Sequence, residues 1–228
     1  MINSWKEAMR IYTGKFEGVL LLSLTILLPL LLIDWFIINI VYLFVFNDFT
    51  SSLADFYYIF LTFIFLVIAQ IPFVQFVKSY ENSGEIEYKD IYYVFITNAF
   101  SLFVFGVCFS FVTSLGVLLF IVPGLIFLLF MFVAPYEAIL EEKSVWKSMK
   151  TSIFFAKKKF FPLFFVILII SLTEIIIGWV SMFLIHTVTS SLLAQITVQM
   201  LLNLLIFPFL AIWVTYFYID WKKKYQLS

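Results

Sequence analysis

Residues 15–35 read KFEGVLLLSLTILLPLLLIDW. Between Glu17 and Asp34 no charged side chain interrupts the run, and beyond Trp35 it stays apolar to Phe46. A helix that crosses a bilayer needs about 20 mostly apolar residues, whereas a surface helix of a soluble fold keeps a polar face. The stretch therefore predicts a membrane-spanning helix. Pro29 removes one backbone donor near its middle and predicts a kink or strong tilt there. The run passes Ile33 without a small-residue cleavage site, so it reads as a retained span and not as a signal peptide.

The same pattern extends outward along the chain. Of 228 residues, 64% are hydrophobic and 12% charged, with mean hydropathy +1.10. Soluble domains use roughly 45–50% apolar residues, which excludes a water-soluble fold. Cutting the apolar runs where charges and turn residues cluster predicts six spans, at about 16–46, 56–77, 91–113, 117–140, 160–185 and 192–219. The expected fold is a single all-α polytopic membrane domain covering residues 1–228. Span three runs almost directly into span four through Ser114-Leu115-Gly116, with Pro123-Gly124 close behind, which reads as a tight hairpin.

The 14 basic residues fix an orientation. They precede span one (Lys6, Arg10, Lys15), lie between spans two and three (Lys78, Lys89) and between four and five (Lys143, Lys147, Lys150, Lys157, Lys158, Lys159), or follow span six (Lys222, Lys223, Lys224). None falls in the alternate loops near residues 47–55, 114–116 and 186–191. Basic residues resist translocation, so the charged segments and both termini are expected to be cytoplasmic. Trp35, Tyr136, Trp179 and Trp221 are expected at the headgroup level. The 31 Phe and the Lys/Ile/Asn-leaning vocabulary point to an AT-rich bacterial genome and hence to a bacterial cell membrane.

Two segments carry helical amphipathicity. Before span one, Trp5, Met9, Tyr12 and Phe16 form a stripe opposite Lys6 and Arg10, and Ser4 with Glu7 fits a capping box. Before span five, Trp146, Met149, Ile153 and Ala156 form a stripe, with Lys147, Lys150, Lys157 and Lys158 outside it. Such helices lie in the interface plane, apolar side down, and their basic residues attract anionic lipid. Residues 159–179, KFFPLFFVILIISLTEIIIGW, repeat the plan of 15–35: Lys-Phe, an apolar run, and a Trp at the same distance from the Lys. A weaker copy, Glu87-Tyr88-Lys89-Asp90-Ile91, precedes span three. Three copies of an amphipathic segment plus a membrane hairpin are therefore expected.

The stretch Ile121-Val122-Pro123-Gly124-Leu125-Ile126, then Ala134-Pro135-Tyr136, then Glu141-Glu142-Lys143 through Trp146-Lys147-Ser148-Met149-Lys150-Thr151-Ser152 resembles the membrane domain attached to some bacterial glycerophosphodiester phosphodiesterases and its stand-alone YciC-like relatives. The shared features are a Pro-Gly helix start, an Ala-Pro segment, an acidic turn and an amphipathic helix with spaced serines. Trp146-Lys147 stands where that family has Ala-Leu, and Ala156-Lys157 replaces a usual Gly-Lys. The resemblance is sharp over about residues 121–160 and implies six spans; it lends no settled activity, and the soluble phosphodiesterase part has no counterpart here.

No nucleophile-base set, zinc-protease pattern or nucleotide-binding loop occurs. Cys108, inside an apolar run, reads as a small packing residue, and His186 as a polar outer-turn residue. Two acids inside spans, Asp34 and Glu174, are the candidate polar site, because an ionisable group in hydrocarbon must be neutralised, paired or hydrated. Hydroxyls such as Ser171 and Thr173 are candidate partners for them. Gln70, Asn98, Gln195, Gln199 and Asn203 are expected to tie helices together. The expectation is a non-enzymatic membrane protein without cofactor, acting with lipids or with a membrane partner or a second copy, and with no nucleic acid. The alternative is a small transporter or channel using Asp34 and Glu174; an intramembrane lipid enzyme is disfavoured for want of a catalytic set.

Overall fold

The computed structural model describes residues 2–226, and every regular element among them is helical. Six stretches are long and apolar enough to cross a membrane: Phe16–Tyr42, Asp48–Ser83, Tyr88–Leu119, Ile121–Leu140, Val145–Val188 and Leu192–Tyr225. The chain divides into two compact units, one built from residues up to Leu28 and from Phe161 onward, the other from Pro29–Phe160.

In the first unit, α1 (Ile2–Gly14) packs on α10 (Leu192–Gln226). Its buried face is Ser4, Ala8 and Ile11, not the aromatic stripe read from the sequence. Small side chains let the two helices approach, and Trp5 then meets Phe209 and Trp213 edge-on, at 4.9 and 4.6 Å between ring centroids. The Tyr12 hydroxyl donates to the Leu205 carbonyl at 2.9 Å. Met9 and Phe16 stay exposed. Ser4 lies inside α1 and is fully buried, so it does not serve as the expected cap, and Glu7 pairs instead with Arg10 one turn on.

The chain leaves α1 at Lys15, whose φ −128° and ψ 34° break the helix before α2 (Phe16–Leu22). One π-helical turn follows at Ser23–Leu27, and then α3 (Leu28–Tyr42), most of which belongs to the second unit. The distortion expected at Pro29 thus falls in the turn before it. Proline cannot donate to the carbonyl four residues back, and a wider turn absorbs the missing bond. A second break interrupts α9 (Val145–Val188) at Lys159, φ −127° and ψ 29°. Pro162 sits three residues later, in the first turn of the resumed helix, where a missing N–H is tolerated.

The second unit contains α4 (Asp48–Ala69), α5 (Ile71–Ser83), α6 (Tyr88–Leu119), α7 (Ile121–Met131), α8 (Ala134–Leu140) and the start of α9. A reciprocal box opens α4: Asn47 Oδ1 accepts from the Thr50 N–H at 3.0 Å, and Thr50 Oγ1 accepts from the Asn47 N–H at 2.9 Å. Gly84, at φ 73°, closes α5 in the left-handed conformation that glycine adopts without steric cost. Gly106 on α6 brings that helix against α4, where a Cβ would lie 3.6 Å from the Ile64 Cα.

The α6–α7 hairpin breaks later than the sequence indicated. Helix continues through Ser114-Leu115-Gly116 to Leu119, and the one extended residue, Phe120 (φ −150°, ψ 102°), makes the turn. Pro123 belongs in a first helical turn, so the break falls three residues before it. Gly116 and Gly124 then meet across the hairpin, where a Cβ on Gly116 would stand 2.8 Å from the Gly124 Cα.

Helix α8 is the most enclosed element of this unit, with Ala134 through Ile139 all buried. Of the aromatics expected at headgroup level, Tyr136 is fully buried and Trp221 is 8% exposed, so both face protein, whereas Trp35 and Trp179 face outward. The Ala-Pro start turns the chain inward and carries Tyr136 with it. Cys108 lies exposed on the outer face of α6, not packed inside.

Candidate functional site

Asp34 is partly exposed on α3, and its Oδ1 is buried without a hydrogen-bond partner. Glu174 is partly exposed on α9, and the Thr173 hydroxyl donates to the Ile169 carbonyl of its own helix at 2.8 Å, not to Glu174. Asp34 belongs to one unit and Glu174 to the other. Gln70 and Asn98 also bond within their own helices, to the carbonyls of Leu66 (2.7 Å) and Val94 (3.0 Å).

The first part of α9 separates its faces as α1 does. Lys147, Lys150, Lys157 and Lys158 are exposed, Lys159 occupies the break, and Lys158 Nζ stands 5.8 Å from the centre of the Phe154 ring. The inward face is Val145, Ser148, Ser152, Phe155 and Ala156, whereas Trp146 is 45% exposed and only edges against Phe105. Ser148 Oγ donates to the Ser144 carbonyl (3.2 Å). Ser152 Oγ reaches across to the Phe130 carbonyl (2.7 Å), at the end of α7 where the helical ladder stops. Ser152 therefore ties α9 to α7 from inside, and Ser148 is buried on the same face, while Gly124 packs at the hairpin and Pro135 sits in the first turn of α8.

A further site was not anticipated from the sequence. A cleft of about 510 Å³ opens between α5, the first turns of α6, and the α8–α9 turn. Its volume lies in the range of small-molecule sites. Gln75 and Lys78 enter it from one face of α5, a helical turn apart. The Lys78 side chain is only 13% exposed, and its ammonium donates to the Ile139 carbonyl at 2.9 Å and to Glu142 Oε1 at 2.8 Å.

Local chain geometry explains that arrangement. At the end of α8 the Lys143 N–H bonds the Ala138 carbonyl (3.0 Å), six residues closing on one, with Glu142 between them at φ 52°. Glycine normally occupies that left-handed position, and a side chain there costs about 1–2 kcal/mol. From that position Glu142 pairs with Lys78, and Lys78 also satisfies the Ile139 carbonyl, one of the acceptors a helix end leaves open. The Lys78 hydrogen bond and charge hold the Glu142 carboxyl below its ordinary value. Lys143 stands 3.7 Å from the buried Glu137 and 3.6 Å from Glu141.

On the other wall, Gln75 Nε2 donates to Asp90 Oδ2 at 2.5 Å, while Gln75 Oε1 is buried with no partner. The cleft thus sets a buried acceptor and carboxylates beside lysine donors, an arrangement suited to a ligand that carries both charges. The Glu141-Glu142-Lys143 turn and the i, i+3 pair Gln75/Lys78 are visible in the sequence, but only the fold brings them together. Comparison with protein-family models, with curated proteins and with solved structures found no match to the chain.

Proposed function

We propose that the chain is a non-enzymatic multi-pass protein of the bacterial cell membrane, with both termini cytoplasmic, that serves as an accessory or scaffold protein for lipids or a membrane partner. The observation that carries this reading is the separation of faces on α1 and on the start of α9. In each, small and hydroxyl side chains are buried inward while Lys6 and Arg10, or Lys147, Lys150, Lys157 and Lys158, are exposed just before a helix break and a long apolar helix. Basic residues so placed gain about 1 kcal/mol each from anionic lipid at the surface.

The apolar helices display bulky side chains outward, among them Ile176, Trp179 and Phe183 on α9, which suits hydrocarbon or a second copy. The matching breaks at Lys15 and Lys159 support the internal repeat for its first and third copies; the second copy starts directly at Glu87 with a different geometry, φ −93° and ψ 90°. The YciC-like resemblance accords with this reading, since Pro123, Gly124, Pro135, Ser148 and Ser152 all have packing or turn roles. Reporter fusions test the orientation: Lys78 and Lys158 are expected to read cytoplasmic, Asp48 and Thr187 exterior, and a reversed or mixed pattern overturns it.

The second reading, a small transporter or channel, is favoured by one observation, the buried and unpartnered Oδ1 of Asp34. An acid left without a partner in a span marks ion or proton paths. Cation or proton flux in proteoliposomes that disappears in Asp34→Asn and Glu174→Gln would support it; no flux in the parent protein removes it.

A further inference from the structure

We infer that the cleft between α5, α6 and the α8–α9 turn binds a primary ammonium joined to a phosphate, the headgroup of an ethanolamine phospholipid. The inference rests on the membrane reading above and adds a ligand class to it. Asp90 carries only acceptors, so the Gln75 amide must turn its NH₂ toward it. That leaves Oε1 facing away, in a side chain 5% exposed and with no donor in reach. A buried carbonyl oxygen of this kind calls for an N–H or O–H from outside. With the Asp90 and Glu142 carboxylates in the same cleft, the complementary donor is a cation.

The opposite requirement is present one helical turn away. Lys78 has three N–H donors and uses two, on the Ile139 carbonyl and on Glu142. Lys143, half exposed and more than 3.5 Å from both of its carboxylates, supplies another donor group. Gln75 and Lys78 line the same cleft from positions i and i+3 of α5, so an ammonium at one and a phosphate at the other belong to one small headgroup. The cleft accommodates a headgroup and not a whole lipid. A track for an acyl chain leads from it: Tyr93, on the wall of the cleft, continues as Ile96 and Phe100 at i+3 and i+7 along α6, and these three are 67%, 71% and 77% exposed.

The chemistry makes the selectivity sharp. A trimethylammonium has no N–H to give Gln75, and a glycerol headgroup has no cation for Asp90. The test uses the purified full chain in detergent, with phosphatidylethanolamine, phosphatidylcholine and phosphatidylglycerol of identical acyl chains measured by native mass spectrometry, and soluble glycerophosphoethanolamine as competitor. Expected is retention of phosphatidylethanolamine at least about tenfold above the other two, lost in Gln75→Leu and Asp90→Asn. Lys143→Gln, a change at a half-exposed side chain, is expected to weaken binding several-fold without disturbing the fold. Equal retention of phosphatidylcholine, or a preference unchanged in Gln75→Leu and Lys143→Gln, overturns the assignment. Displacement of the lipid by equimolar glycerophosphoethanolamine overturns its lipid half and identifies a soluble ligand. Lipid selectivity failing while Lys78 and Lys158 fusions still read cytoplasmic leaves the scaffold reading intact, whereas a reversed topology removes that reading whatever lipid is retained.

Discussion

Lys15 and Lys159 interrupt their helices with the same backbone geometry, φ −128° and ψ 34° at the first, φ −127° and ψ 29° at the second. Each is followed by a Phe and a long apolar helix, yet the local setting differs, with Gly14 before one and Pro162 after the other. At Lys159 the proline denies the Lys158 carbonyl its helical donor, so the lysine side chain is not the cause of the break.

Pro162→Ala is accordingly expected to restore that bond and add about 1 kcal/mol of local protection, slowing amide exchange over residues 160–163 about fivefold. Lys159→Ala should leave exchange there unchanged. The opposite result would place the origin of the break in the lysine.

Glycine substitutions separate a tight contact from an ordinary one. A Cβ at Gly124 would collide with the Val117 backbone nitrogen and lie 2.6 Å from the Gly116 carbonyl carbon, both parts of the main chain that cannot swing aside. Gly124→Ala is expected to cost about 1–3 kcal/mol. Gly106→Ala, whose new methyl would meet its neighbours at 3.6 Å, should cost less than 1 kcal/mol. Thermal unfolding in detergent gives both values.

The ion pair of Glu142 with Lys78 predicts a pH dependence of definite sign. The folded carboxyl titrates below its ordinary 4.5, so its contribution is present above that value and is lost as pH falls through the lower folded value. Melting temperature measured from pH 7 down to pH 3 should decline more steeply below 4.5 in the parent than in Glu142→Gln. Parallel curves would mean that the pair does not contribute.

Ser152→Ala removes a side-chain bond from α9 to α7 and leaves the Phe130 carbonyl short of a donor, at an expected cost of about 1–2 kcal/mol. Ser148→Ala removes only a longer bond within its own helix and is expected to stay below 1 kcal/mol. Equal losses for the two would contradict the cross-helix role.

Much of the fold is legible because apolar runs and charge clusters act over tens of residues, so the six long helices are readable from the runs along the chain, of which residues 15–35 and 159–179 are two. Faces and depths are not. Trp146 and Met149 outweigh Ser148 and Ser152 on any hydrophobic scale, yet both serines are buried: Ser152 reaches a carbonyl at the end of α7, and Ser148 satisfies its hydroxyl on the Ser144 carbonyl. Tyr136 follows an Ala-Pro pair and reads as interfacial, but α8 is surrounded by other helices. The cleft escapes a sequence reading for a related reason: Gln75 and Asp90 lie on different helices, Glu142 follows only after two more, and each alone resembles an ordinary polar residue at the end of a span.

Lys78 also sets an order in time. Its acceptor at Ile139 lies 61 residues further along the chain, so at synthesis rates of about 5–20 residues per second the lysine waits roughly 3–12 seconds for its partner. During that interval the second long helix carries a cation that the finished protein encloses, and it must remain in contact with water. The enclosure of Lys78 between α5 and the α8–α9 turn therefore waits on α8, which makes a short buried helix, and not the long apolar ones, the element that completes this site.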